Sequence, residues 1–326
     1  MFNVKAHTIT RVLVGAICTL TAATALAADN YPNRPVRIIT PAAPGGTTDY
    51  LARLLAIRLT EVWKQQAIVD NRASASGVNA AEITKHAAPD GYTLFLVYHQ
   101  HTVNAAIMPK LPYHAVNDFT PISQMTEAAL LLIVNPSHPA KSVKEFVDWS
   151  KTTKEPINFG SAGIGSGGHM GGELYKMMAG IQAQHIPYKG TGPAIVDLIG
   201  GQYHFNFAGL AGALVQTRSG KLRAIAVTAP KRLKGLPDIP AMAEALPGFE
   251  VVGWYGVMAP ANLPKPLLTK IHAEIAAYVK SPEFVKRASA DGAEAVTNDP
   301  ETFRQFMLAD VKKWAEVAKR SGSKFN

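Results

Sequence analysis

The run Val36-Arg37-Ile38-Ile39-Thr40-Pro41-Ala42-Ala43-Pro44-Gly45-Gly46-Thr47-Thr48-Asp49 decides the fold class. Val36 to Pro41 is a short, mostly apolar stretch and reads as a buried strand. The Gly-Gly loop behind it breaks that pattern, and Leu51, Leu54, Leu55, Leu59 and Val62 then recur at helical spacing, with Asp49 placed to cap the helix. One strand-loop-helix unit is therefore written at the start of the chain.

The same alternation continues outward. Strands are predicted at Ala67–Val69, Thr93–Tyr98, Ala129–Val134, Ile157–Gly160, Tyr203–Phe207 and Leu222–Val227, with helix-like segments between most of them. Ser142-x-x-Glu145 is a capping box, and Asp299-Pro300 opens a last helix towards Arg320. Strand and helix in alternation predict an α/β protein with parallel sheets and ligand sites at strand C-termini. One sheet does not easily hold so many units, whereas two lobes of about 130 residues each are ordinary domains. The chain shows no Pro/Gly/Ser linker, so the lobes are expected to be joined by crossing strands, with the C-terminal helices returning to the first. The expected division is residues 28–125 plus 251–326 for lobe I and 126–250 for lobe II.

Lys5 and Arg11, the mostly apolar stretch Val12–Thr24 and the sequence Ala25-Leu26-Ala27 have the order of a secretory signal peptide, so residues 1–27 are expected to be removed in the periplasm. The apolar stretch is interrupted by Thr19, Thr21 and Thr24 and falls short of the roughly 20 residues of a membrane span. Cys18, the single cysteine, lies inside it, which leaves the mature chain without disulfides, thiol chemistry or cysteine-ligated metal. Without Lys5 and Arg11 there remain 31 basic residues against 24 acidic ones, a net charge of +7. That balance suits anionic ligands. The basic residues are scattered rather than clustered, which argues against nucleic acid as a partner.

Three strand-to-helix loops could hold an anion on free backbone N–H groups and a helix N-terminus. The first contributes Ala43, Gly45, Gly46, Thr47 and Thr48; the second Tyr98, His99, Gln100 and His101; the third Ser161, Ala162, Gly163, Ser166 and His169. Gly163, Gly165 and Gly168 satisfy G-x-G-x-x-G, but a dinucleotide site would want an acidic residue about 20 positions further on, where the chain reads Gln184-His185-Ile186-Pro187-Tyr188. Neither Ser161 nor Ser166 sits in G-x-S-x-G, so serine hydrolysis is unsupported. His99 and His101 have H-x-H spacing without a third ligand nearby, which favours hydrogen bonding to a ligand, or no role, over metal ligation. Tyr188 is the better ligand candidate of the Tyr188-Lys189 pair, and Trp254-Tyr255 reads as structural.

From Tyr31 to the C-terminus the chain resembles the periplasmic receptors of the tripartite tricarboxylate transporter system, the Bordetella uptake gene family. The resemblance rests on a series of motifs: Tyr31-Pro32-Asn33-Arg34-Pro35, Ala43-Pro44-Gly45-Gly46-Thr47-Thr48-Asp49, Asn71-Arg72, Ala88-Pro89-Asp90-Gly91-Tyr92, Ser161-Ala162-Gly163-Ile164-Gly165-Ser166, His185-Ile186-Pro187-Tyr188-Lys189-Gly190 and Trp254-Tyr255-Gly256. It implies the periplasmic-binding-protein (Venus flytrap) fold, in which the first and third loops hold a carboxylate and closure signals occupancy to two integral membrane components. It implies a binding protein rather than an enzyme, without cofactor, acting as a monomer. Two departures stand out: Ala73-Ser74-Ala75-Ser76-Gly77 replaces a glycine-rich loop, and Ala208 stands where many relatives place an aspartate. A ligand ammonium would have no partner at Ala208, which favours a dicarboxylic acid over an amino acid. Tyr98, His99 and His101 would suit a bulky or aromatic one. The alternatives are an α/β enzyme using His99, His101 or His169 as general base, and a ligand sensor docking on a receptor kinase.

Overall fold

The structure is a computed structural model that describes residues 30–44, 47–74, 77–290 and 292–321. The expected signal peptide, Gly45 and Gly46 lie outside the described residues.

Among the described residues, ten strands form one continuous sheet in the order β2-β1-β3-β9-β4-β7-β5-β6, with β8 and β10 also paired to β4. The strands are β1 (Val36–Thr40), β2 (Ala67–Asn71), β3 (Thr93–Tyr98), β4 (Phe119–Val134), β5 (Ile157–Ser161), β6 (Ala183–Pro187), β7 (Phe205–Gly209), β8 (Arg223–Val227), β9 (Val252–Pro260) and β10 (Glu294–Ala295). Strands β1, β2 and β3 are mutually parallel at one end, and β5, β6 and β7 at the other, as the strand-helix alternation predicts. Helices cover both faces: α1 (Thr47–Trp63), α2 (Val78–Lys85) and α3 (Gln100–Ile107) with the first half, then α4 (Val143–Thr152), α5 (Gly167–Ala179), α6 (Thr191–Ile199) and α7 (Leu210–Arg218) with the second. The chain returns through α8 (Lys265–Val279) and α9 (Pro282–Ala290) and ends in α10 (Pro300–Ser321).

Two α/β lobes result, and β4 is the element that belongs to both. Its first part, Phe119–Ala129, runs antiparallel to β9, and Leu130–Val134 runs antiparallel to β7. Thr228, fully buried just beyond β8, fastens the crossing. Its hydroxyl accepts from Leu130 N (2.7 Å) and donates to Val251 O (2.6 Å), and its own N–H donates to Leu130 O. The predicted strand at Ala129–Val134 is thus the far end of a strand of 16 residues. Its polar first part hides Ser123, Gln124 and Thr126 from solvent. Ser123 is matched by hydrogen bonds to Thr297 Oγ1 (2.9 Å) and Asn298 O (3.1 Å), and Gln124 N donates to Asn298 Oδ1 (3.0 Å).

Each lobe is cored on both faces of its part of the sheet. Leu51, Leu55 and Leu59 of α1 pack with Ile271 and Ile275 of α8, as their spacing predicts. Along α10, Phe303 and Met307 join the first lobe's core, while Trp314 and Val317 reach the second's together with Val103 of α3. The helix caps are close to expectation. Ser142 Oγ accepts from Glu145 N, but the Glu145 carboxylate accepts from Lys141 N instead of closing the box. Asp299 accepts from the N–H groups of Glu301 and Thr302.

Candidate ligand cleft

The loop after β1 is held by Asn71 at the end of β2. Its Nδ2 donates to Ala42 O (3.0 Å) and to Asp49 Oδ1 (2.9 Å), while the other carboxylate oxygen of Asp49 accepts from Arg53 Nε at 2.9 Å. Asp49, expected as a cap, lies in the first turn of α1 and ties that turn to β2. Ala43 is exposed, and the side chains of Thr47 and Thr48 hydrogen-bond the Tyr255 phenol on β9. Tyr255 stacks on Tyr98, with ring centroids 6.1 Å apart, and Tyr98 meets His99 edge-on at 5.4 Å. Burial raises the Tyr98 phenol to about 12, so it remains a neutral donor.

His99 begins the turn into α3, its N–H donating to Trp254 O at 3.0 Å. The Thr102 hydroxyl lies 2.8 Å from His99 O and 2.6 Å from Asp310 Oδ2 on α10, and Trp254 Nε1 donates to the same carboxylate oxygen at 3.0 Å. The His99 ring lies between the lobes. A Cβ placed on Gly253 of β9 would stand 3.6 Å from its Nδ1, and one on Gly167, the first residue of α5, 3.8 Å from its Nε2. Nδ1 is sealed from solvent and has no hydrogen-bond partner. Burial depresses this imidazole to about 4, so it is neutral.

The next residues diverge. Gln100 lies under Gly165, where an added Cβ would come to 2.7 Å of its Nε2, so the loop after β5 touches the start of α3 across the cleft. His101 is turned away. Its Nε2 bonds Ala115 O at 2.8 Å and its ring stacks on Tyr113 at 5.1 Å, with Phe95 and Phe119 at its edges. The structure therefore separates the two histidines that H-x-H spacing had paired, and His101 belongs to the core.

In the loop after β5, both serine hydroxyls shape the backbone. Ser161 is fully buried; its Oγ accepts from Gly163 N (3.1 Å) and lies 2.7 Å from His185 Nε2. Ser166 caps α5 by accepting from His169 N at 3.3 Å. Gly163 and Gly165 have φ of +135° and +76°, values that glycine adopts freely. Gly168 lets α5 approach β7, since a Cβ there would be 2.5 Å from Phe207 O. The G-x-G-x-x-G string thus builds a sharp loop and a close helix-strand contact. Ala162 O accepts from Gly190 N at 3.0 Å. The first-turn N–H groups of Gly167 and Gly168 have no carbonyl one turn earlier and form the positive end of α5.

Three further expected residues lie at the margin. His169 is buried beneath the loop, where its Nδ1 accepts from Gly165 N at 3.0 Å. The Tyr188 hydroxyl donates to Asp197 on α6 at 2.8 Å, which turns it aside. Ala208 packs in the core with Ala129, Leu131 and Leu210. Asn71, Thr102, His185 and Asp310 carry the support of these loops; only the Asn71-Arg72 and His185-Ile186-Pro187 motifs marked any of them beforehand. Among the described residues, no group of three or more His, Cys, Asp or Glu side chains could hold a metal, and no helix is long and apolar enough to cross a membrane.

The profile described as tripartite tricarboxylate transporter family receptor matches residues 51–322. The chain belongs to this family. The receptor is 34% identical to protein BugT of Bordetella pertussis over 311 residues, covering 94% of this chain and 95% of that one. Among solved structures, an R. palustris protein with adipate is 32% identical at a TM-score of 0.77, covering 90% of the receptor and 99% of the solved chain. MatC from Rhodopseudomonas palustris with bound malate is 31% identical at a TM-score of 0.73, covering 88% of the receptor and 100% of the solved chain. Family and fold are those of periplasmic solute-binding receptors, and no enzyme family is indicated.

Proposed function

We propose that the receptor captures a small dicarboxylate between its lobes and presents it to two integral membrane components of a tripartite tricarboxylate-type transporter. The observation that carries this reading is His99. The buried, unpaired Nδ1 of this neutral ring lies against β9 while its Nε2 faces the start of α5, so the ring carries a hydrogen-bonding group that lacks only its partner. In this reading one carboxylate lies on the backbone N–H groups of the loops after β1 and β5, at the start of α1 and α5, and the other end of the ligand is met by His99, Tyr98 and Gln100. Relatives of the receptor were solved with adipate and malate, both dicarboxylates. The net positive charge of the mature chain favours an anion.

Binding rather than turnover agrees with the histidines. His101 and His169 already use a ring nitrogen on the backbone, and burial holds all three candidates near 4, well below the range of a general base working at neutral pH. The test is thermal unfolding of the mature, ligand-stripped protein against mono-, di-, tri- and aromatic carboxylates, with amino acids and NAD as controls. A dicarboxylate at a hundred times its Kd should stabilise the protein by about 2.7 kcal/mol, and His99→Leu should weaken dicarboxylates about tenfold while leaving monocarboxylates less affected. A response to NAD alone, or to no carboxylate, overturns the proposal.

A further inference from the structure

Beneath the loop after β5 lies a group of polar side chains, buried except for the partly exposed His185. His185 on β6 and His169 on α5 stack face to face, ring centroids 3.8 Å apart at 13°. Phe159 of β5 continues the stack, 5.0 Å from His185 and 6.4 Å from His169. Each histidine is connected to one glycine of the loop. His169 Nδ1 accepts directly from Gly165 N at 3.0 Å. His185 Nε2 lies 2.7 Å from Ser161 Oγ, which accepts from Gly163 N at 3.1 Å.

The tautomer of His169 follows from its partner. A ring nitrogen that accepts an amide N–H carries no proton, so the proton of neutral His169 is on Nε2. Nε2 faces Glu173 Oε1 at 3.7 Å, and the Glu173 carboxylate is also bound by Lys176 at 2.8 Å. The charged or titratable groups that act on the pair are Glu173 and Lys176 on α5 and each histidine on the other. A proton added to His169 Nδ1 would set two donors head to head at Gly165. Burial and Lys176 oppose that, keeping His169 near 4, and His185 is depressed further, to about 3.

We infer that the His169–His185 stack is a positioning device that clamps the Gly163–Gly165 backbone from below and thereby sets the ligand affinity of the loop. The inference rests on the carboxylate-binding reading above, in which that backbone donates to the ligand. Gly163 and Gly165 carry left-handed φ values and Gly165 touches Gln100 across the cleft, so the loop's shape governs both the ligand contact and the fit of the two lobes.

The test pairs apolar and hydrogen-bonding replacements. An asparagine at position 169 puts an amide oxygen near the place of Nδ1, and a glutamine at 185 puts an amide near Nε2, whereas leucine at either site fills volume without accepting. Calorimetry with malate and adipate at neutral pH should show H169L and H185L weaker by about tenfold, with H169N and H185Q restoring most of the affinity. As pH falls from 6 to 4, the wild type should lose affinity faster than H169N; ligand protonation is common to both. In ligand-free protein, amide exchange in residues 161–169 should quicken about tenfold in H169L and return towards wild type in H169N. Exchange and affinity unchanged in H169L, or no rescue by H169N at unaltered thermal stability, or parallel pH profiles, overturn the inference. If neither malate nor adipate binds, the carboxylate reading fails, and amide exchange alone still decides whether the clamp exists.

Discussion

At the scale of single residues, two helical glycines of the second lobe separate two kinds of demand. Gly168 faces a backbone carbonyl at a distance no Cβ tolerates, and the obstacle cannot rotate away. Gly168→Ala is expected to cost about 2 kcal/mol or more, because α5 must lift from β7. Gly192, in the first turn of α6, has open space around its Cα, and Gly192→Ala should be neutral or slightly stabilising. Urea unfolding of the two variants checks the pair; equal effects would mean that the α5–β7 approach is not constrained by size. Residue scale is also where sequence reading was weakest. His99 and His101 look equivalent as a spacing, but α3 begins at Gln100 and each helical step turns the chain by about 100°. One ring therefore lies in the cleft and the other stacks on Tyr113. Ser161 and Ser166 stand among the expected ligand residues, yet each hydroxyl is used by the loop's own backbone, a bond visible only once the loop has its shape.

At the scale of elements, the strands that follow a short buried apolar pattern were legible: Thr93–Tyr98 was read to the residue, and Val36–Thr40 to within one. The first part of β4 was not. Phe119–Ala128 contains Pro121 and a run of polar residues, and its burial depends on Thr297 and Asn298, some 170 positions later, for hydrogen-bond partners. Alternation and apolar runs carry no trace of so distant a match. The crossing itself is held by Thr228, and Thr228→Val isolates that contribution, since the side chain keeps its shape and loses only its hydroxyl. Leu130 N and Val251 O lose a buried partner, so the variant should be less stable by about 2 kcal/mol with little change in denaturant dependence. A loss under about 0.5 kcal/mol would mean that the backbone bonds of Thr228 suffice to fasten β4.

At the scale of the whole molecule, burial of neutral histidines ties stability to pH. His99, His101, His138 and His169 are each pushed down to about 4 and His185 to about 3, from an unfolded value near 6.5. A lowered folded value means that the unfolded chain takes up protons first, so this stability is complete above pH 6.5 and drains away as pH falls towards 4. For the well-buried His101 and His169 the loss is roughly 3 kcal/mol each. Glu127 and Asp310, whose carboxyls are raised by burial, act in the opposite sense, but two carboxyls do not offset five imidazoles. Urea unfolding at pH 7, 6 and 5 should show stability falling by about 1.4 kcal/mol per pH unit for each net proton taken up, with an uptake above two near pH 5.5. A flat profile over that range would mean that the histidines are solvated in the native protein.

The last helix has a consequence for how the protein comes into being. Phe303 and Met307 complete one hydrophobic core, Trp314 and Val317 the other, and Asp310 between them binds Thr102, 208 positions earlier. Neither lobe can therefore finish packing before α10 has docked. The helix acts as a closing stitch, and the high sequence separation of its contacts makes that step slow. For a member of a family that works in the periplasm, such lateness is an advantage, because a chain that sets late stays pliable for longer.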